Sequence, residues 1–130
     1  MLFWELSFND EATVQIADYD VPVVSYDPVQ GRLFRVGMLD KVEITGLRPQ
    51  EHKLVRYMAG RNAGAGDVPA LCGFDELMQA IWGDEHESHQ QEELTTIVYT
   101  LRRKLEPNPR MPQLLLLEPG FGYRLRTSRS

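Results

Sequence analysis

Cysteine occurs once, long apolar runs are missing, and basic residues are the minority. The single Cys72 excludes an intramolecular disulfide framework and suits a reducing compartment. Within "PALCGFDEL" it reads as a buried small hydrophobe rather than a reactive thiol. An apolar run such as Leu114 to Leu117 falls far short of a membrane span. The opening "MLFWELSFNDE" has no basic region, long apolar core or cleavage site, so no signal peptide is read there and a cytoplasmic location is expected. The loop "RNAGAGDVPA" lacks the Gly-Lys-Ser/Thr ending of a phosphate cradle. His86-Glu87-Ser88-His89 is one residue short of a zincin motif, so its two histidines would not share a helical face and a solvated loop is the plainer reading. No paired carboxylates at helical spacing, Ser/His/Asp set or Cys/His cluster is present. The chain is accordingly read as no enzyme, with no metal and no cofactor.

The balance of 14 Lys and Arg against 19 Asp and Glu gives a net charge of −5, which argues against a non-specific nucleic-acid coat. The charge is uneven, however. Residues 1–91 hold 7 basic and 15 acidic side chains, whereas residues 92–130 hold 7 basic and 4 acidic. A phosphate-facing surface thus has a place in the C-terminal third. With 130 residues, 42% hydrophobic and 25% charged, the chain is read as a single globular domain.

What is present changes period along the chain. Residues 1–46 read as an antiparallel sheet of four or five strands: "LFWELSF", "ATVQIADY", "VPVVSYD", "GRLFRVGML" and "KVEITG". Residues 47–125 then read as three helices and a hairpin. In "LRPQEHKLVRYMAG", Pro49 opens a helix, Leu54, Val55 and Met58 form its apolar side, and Gly60 supplies a stop. "FDELMQAIWG" carries Phe74, Leu77, Met78, Ile81 and Trp82 as one apolar stripe. A third helix is expected over about Glu92 to Glu106, with Leu94, Ile97, Val98, Leu101 and Leu105 inward. Its opposite side holds Glu92, Thr96, Tyr99, Thr100 and Arg103, flanked by Thr95 and Arg102. The glycines of "LLLLEPGFGYRL" mark a hairpin, and residues 126–130, "RTSRS", read as a tail or linker.

Such a helix fits a B-DNA major groove about 12 Å wide. Arg102, Arg103 and Lys104 offer phosphate donors, and Thr95, Thr96, Tyr99 and Thr100 are short or flat enough to approach base edges. The fold class is then α+β, a winged helix-turn-helix with an N-terminal antiparallel sheet, three helices and a C-terminal hairpin wing. Four ordered blocks carry a resemblance that periodicity alone does not give: "YDPVQGRLFRVG", "LRPQEHKLVRYMA", "FDELMQAIWGD" and "LTTIVYTLRRKLEPNPRMPQLLLLEPGFGYRL". Through them the chain resembles the OmpR/PhoB-type effector domain of bacterial response regulators, shared with regulators of the ToxR/CadC type.

The resemblance implies a transcriptional regulator that binds double-stranded DNA. Thr95, Thr96, Tyr99, Thr100 and Arg103 would then lie in the major groove. Arg102, Arg124 and Arg126 would take backbone or wing roles, and Trp82 a sugar-phosphate contact, although Trp82 also completes the apolar stripe of its helix. Asp84, Glu85, His86 and Glu87 would lie in a loop that faces RNA polymerase. The chain departs from the family pattern at Glu118-Pro119, where relatives approach the wing through Val-Arg, and in its weakly charged recognition helix. Fewer phosphate contacts imply weak, salt-sensitive binding by a monomer, hence a homodimer, tandem sites or a second domain. A second reading is a winged helix that has exchanged DNA for a protein partner. The stretch before Tyr26 is longer than the family's sheet needs. An added edge strand and pairing with a partner chain both stand as readings of it.

Overall fold

The computed structural model describes residues 21–66 and 68–128. Its first layer is an antiparallel meander, β1 (Val23–Asp27), β2 (Arg32–Val36) and β3 (Lys41–Ile44), in that spatial order. Asp27 makes the first turn: its Oδ1 accepts the Val29 and Gln30 N–H groups at 2.9 and 3.3 Å, and Gly31 closes it with φ +68°. Alternation then directs Val24, Leu33 and Ile44 inward. Of the strands expected in residues 1–46, these three are found; "LFWELSF" and "ATVQIADY" lie outside the described residues.

Three helices follow: α1 (Pro49–Ala63), α2 (Phe74–Trp82) and α3 (Gln91–Leu105). All three start with the same device, a glutamate in the first turn whose carboxylate accepts the N–H three residues back. The pairs are Glu51 with Arg48, Glu76 with Gly73 and Glu93 with Gln90, at 2.7 to 2.9 Å. This is half of a capping box, with the carboxylate also complementing the helix dipole. Gly60 does not stop α1, which runs on to Ala63. Glycine in a helix costs only about 1 kcal/mol against alanine, and Asn62 secures the last turn. The Asn62 Nδ2 donates to Leu125 O and Thr127 Oγ1 at 2.6 and 2.9 Å, and its Oδ1 accepts the Ala70 N–H at 2.7 Å.

Two short pieces depart from expectation. The connection after α2 is a 3-10 turn, Gly83–Ser88, rather than an irregular loop. Cys72 and Gly73 form a two-residue strand, β4, which pairs with β6 (Gly122–Leu125) of the hairpin; β6 also pairs with β5 (Leu115–Glu118), giving the order β4-β6-β5. Gly122 is what allows this approach, because a Cβ there would lie 1.9 Å from the Cys72 carbonyl oxygen. Cys72 itself is fully buried, and burial pushes its thiol up to about 11, so it is inert at neutral pH.

The stretch read as a tail is docked as far as Ser128. Val24 N–H donates to Arg126 O at 2.8 Å and Ser128 N–H to Val24 O at 2.7 Å, so the chain after the wing lies alongside β1. One apolar cluster joins the layers, from Val24 and Leu33 through Leu54, Leu77 and Leu101 to Leu115 and Leu125. The architecture is the sheet, three helices and hairpin wing of a winged helix-turn-helix. Among the described residues, no helix is long and apolar enough to cross a membrane.

Candidate nucleic-acid interface

The side of α3 that faces the core is fixed by Leu94, Ile97, Val98, Leu101 and Leu105, all buried. At about 100° per residue, Glu92, Thr95, Thr96, Tyr99 and Arg103 share an opposite sector about 100° wide, and all five are exposed. Tyr99 is 60% exposed, and the Arg103 guanidinium lies 5.9 Å from its ring centroid. Thr95 and Thr96 donate their hydroxyl protons to the backbone one turn earlier, to Gln91 O at 3.2 Å and Glu92 O at 3.0 Å. Their remaining lone pairs are therefore what they offer outward.

The neighbouring polar side chains of the same helix are otherwise engaged. Thr100 donates to Glu51 Oε2 at 2.6 Å, and Lys104 donates to Glu51 Oε1 at 2.5 Å and to Gly46 O at 2.9 Å. Glu51 is only 1% exposed. Burial pushes its carboxyl pKa up, but the bonds from Lys104, Thr100 and the Arg48 N–H outweigh this and hold it below the ordinary carboxylate range. Arg102 is half-buried: its Nε and Nη2 donate to Leu115 O at 3.1 and 2.8 Å, and its guanidinium lies 5.8 Å from the Tyr123 ring. Of the residues singled out on α3, the structure brings Thr95, Thr96, Tyr99 and Arg103 together at the surface. It ties Thr100, Arg102 and Lys104 to α1 and to the hairpin.

The wing is similarly self-contained. Arg124 lies 3.3 Å from Glu118 and donates to Pro69 O at 2.5 Å, so the acid that departs from the family pattern is neutralised within the hairpin. The Arg126 side chain is half-buried, and its Nε has no hydrogen-bond partner among the described residues. At the tip, Phe121 is 68% exposed beside Gly120, whose φ is +82°.

Trp82 packs partly against the core, and its indole stacks on the His89 ring at 4.1 Å and 10°. His89 donates through Nδ1 to Glu93 at 2.9 Å, and this bond, ahead of the Gln90 N–H, lowers the Glu93 pKa. In the 3-10 turn, Asp84, Glu85 and Glu87 are exposed. His86 is partly covered; its Nδ1 donates to Gly83 O at 2.9 Å and its Nε2 lies 3.8 Å from Asp75.

Sequence reasoning missed Glu106, the second buried acid. It is 4% exposed and accepts the Gln113, Leu114 and Leu115 N–H groups at 2.7 to 3.1 Å, joining the end of α3 to the start of β5. Its signal was faint: an acid at a helix end, just before Pro107, where the dipole disfavours one.

The chain matches the family described as transcriptional regulatory protein, C terminal, over residues 43–125. It is 33% identical over 110 residues to the transcriptional regulatory protein KdpE of Mycobacterium tuberculosis, an alignment spanning 83% of this chain and 45% of that protein. The alkaline phosphatase synthesis transcriptional regulatory protein SphR of Synechococcus elongatus is 32% identical over 88 residues, 68% of this chain and 31% of that one. The chain thus spans less than half the length of these relatives.

Among the solved structures that share its fold are two response regulators. One is the DNA binding domain of the response regulator AdeR in complex with an intercistronic region. Its TM-score is 0.58 at 20% identity, covering 81% of this chain and 95% of that one. The other is the response regulator DrrB, a Thermotoga maritima OmpR/PhoB homolog. Its TM-score is 0.57 at 16% identity, covering 92% of this chain and 53% of that one. With the four sequence blocks, the three helices and the hairpin in place, the chain belongs to the C-terminal, OmpR/PhoB-type family of transcriptional regulatory proteins.

Proposed function

We propose that this chain binds double-stranded DNA as the effector module of a bacterial transcriptional regulator working in the cytoplasm. In this reading α3 lies in a major groove and the wing reaches the adjacent backbone or minor groove. The single observation that carries it is the exposed sector of Glu92, Thr95, Thr96, Tyr99 and Arg103 on a helix whose other side is locked in the core. Arg103 takes a phosphate, and Thr95, Thr96 and Tyr99 meet base edges. Thr100 and Arg102 act from behind by fixing the orientation of α3. Trp82, Arg124 and Arg126 lie towards the flanking backbone, with Arg124 reaching a phosphate only by exchanging its Glu118 partner. The exposed acids Asp84, Glu85 and Glu87, with His86, form the turn offered to RNA polymerase.

Few free cations face the groove, and each phosphate contact adds roughly −0.9 to the slope of log K against log salt. Binding by one copy is therefore weak and falls with salt according to those few contacts, and occupancy of an operator calls for a homodimer or tandem sites. Titration of fragmented genomic DNA at low salt, with the bound fragments sequenced, tests this. Enrichment of a repeated half-site is the expected result. No enrichment together with no salt-dependent binding would hand the surface to a protein partner.

A further inference from the structure

The exposed sector of α3 has a chemical bias in its N-terminal half. Thr95 and Thr96 have spent their protons on Gln91 O and Glu92 O, leaving acceptor lone pairs and a methyl group each. Glu92 is exposed on the same sector, and no hydrogen bond or ion pair engages its carboxylate among the described residues. The adjacent Glu93, by contrast, is held by Gln90 and His89. Within the sector, the side chains of this half thus offer acceptors. The sector's own donors, Tyr99 and Arg103, come one and two turns later, and the exposed Gln91 carboxamide lies outside it. In the major groove the only base-edge donors are the exocyclic amino groups of cytosine and adenine; guanine presents O6 and N7 and thymine O4, all acceptors.

We propose that Glu92 is a specificity-determining residue that accepts a hydrogen bond from cytosine N4. Thr95 and Thr96 extend the same preference to an adjacent base carrying an amino group, with their methyls against a thymine methyl. This deepens the DNA-binding reading and rests on it. A carboxylate near phosphates is unfavourable on electrostatic grounds. Its placement is productive only where a base donor meets it, so the contact acts by rejecting the other pairs as much as by attracting one.

The test is selection by the full chain, at low salt, from duplexes with a randomised core, followed by titration of single-pair variants. Wild type is expected to fix a C·G pair and to lose roughly ten-fold in affinity when that pair becomes T·A. Glu92→Gln is expected to move the preference at that pair to A·T, since a carboxamide reads adenine through N6 and N7. Glu92→Ala is expected to erase the preference there and leave other positions unchanged. Glu92 is exposed and no hydrogen bond or ion pair holds its carboxylate among the described residues, so thermal unfolding in both variants shifts by no more than the loss of one first-turn charge from the helix dipole. Uniform tightening on every duplex by Glu92→Ala, or no change at all, overturns the proposal and leaves Glu92 a bystander charge. A wild-type chain with no selected pool and no salt-dependent binding overturns the DNA reading itself, and this inference with it.

Discussion

The two polar flanks of α3 differ in what their side chains are committed to. On one, Thr100 and Lys104 close over the buried Glu51 and bind the helix to α1. On the other, Thr96, Tyr99 and Arg103 face outward. Residue type does not separate them, since each flank has a threonine and a cation. What separates them is the partner, an acid 49 residues before Thr100 in the chain. A polar helix face divides by tertiary contact into a part that orients the helix and a part left for a ligand.

Mutations sharpen that division, and the largest effect is expected where a buried acid is removed outright. Glu106→Ala leaves the N–H groups of Leu114 and Leu115 buried without their acceptor, and is expected to cost about 3 kcal/mol, read as a lowered urea midpoint. Lys104→Ala strands the Glu51 carboxylate and is expected to cost about 2 kcal/mol, less than a fully buried pair because Lys104 is partly open to water. The same pair contributes to acid sensitivity, beside Glu76 and Glu93, whose pKa values are also lowered. The Glu51 pKa is depressed in the folded state, so its contribution is fully present above the ordinary glutamate value, about 4.3. It is lost as pH falls through the lower folded value. Stability should therefore fall below about pH 4, and less steeply in Lys104→Ala.

Smaller effects follow on moving outward. Thr100→Ala removes a hydrogen bond to a charged group and is expected to cost about 1.5 kcal/mol, whereas Thr96→Ala should stay within about 0.5 kcal/mol. Equal losses at the two threonines would break the comparison. Arg103→Ala should leave thermal unfolding unchanged and reduce the salt slope of DNA binding by about one unit; an unchanged slope removes its phosphate role.

Much of the fold was readable because its elements repeat a period. The apolar stripes of α2 and α3 and the alternation in β1 to β3 each span several residues, and α3 was placed within one residue at either end. Elements held by a single contact left no such trace. β4 is two residues long, too short for alternation to register. Ser128 docks through backbone groups that any sequence possesses. Gly60 carries a local helix penalty, yet the helix continues past it because the tertiary bonds of Asn62 hold its last turn. At the interface, the sequence grouped Thr96 with Thr100 and Arg102 with Arg103. Only the position of Glu51 and of the Leu115 carbonyl could separate them.

The contact between Gly122 and Cys72 has a consequence for how a double helix would be met. The hairpin inherits its direction from the strand that leads into α2, with no side chain between the two backbones to act as a spacer. Its base is therefore placed by backbone pairing with the strand that leads into α2. A duplex touching both the arm and α3 would meet that placement by narrowing a groove or bending. Sites made of easily deformed base steps would then be favoured even where no side chain touches a base.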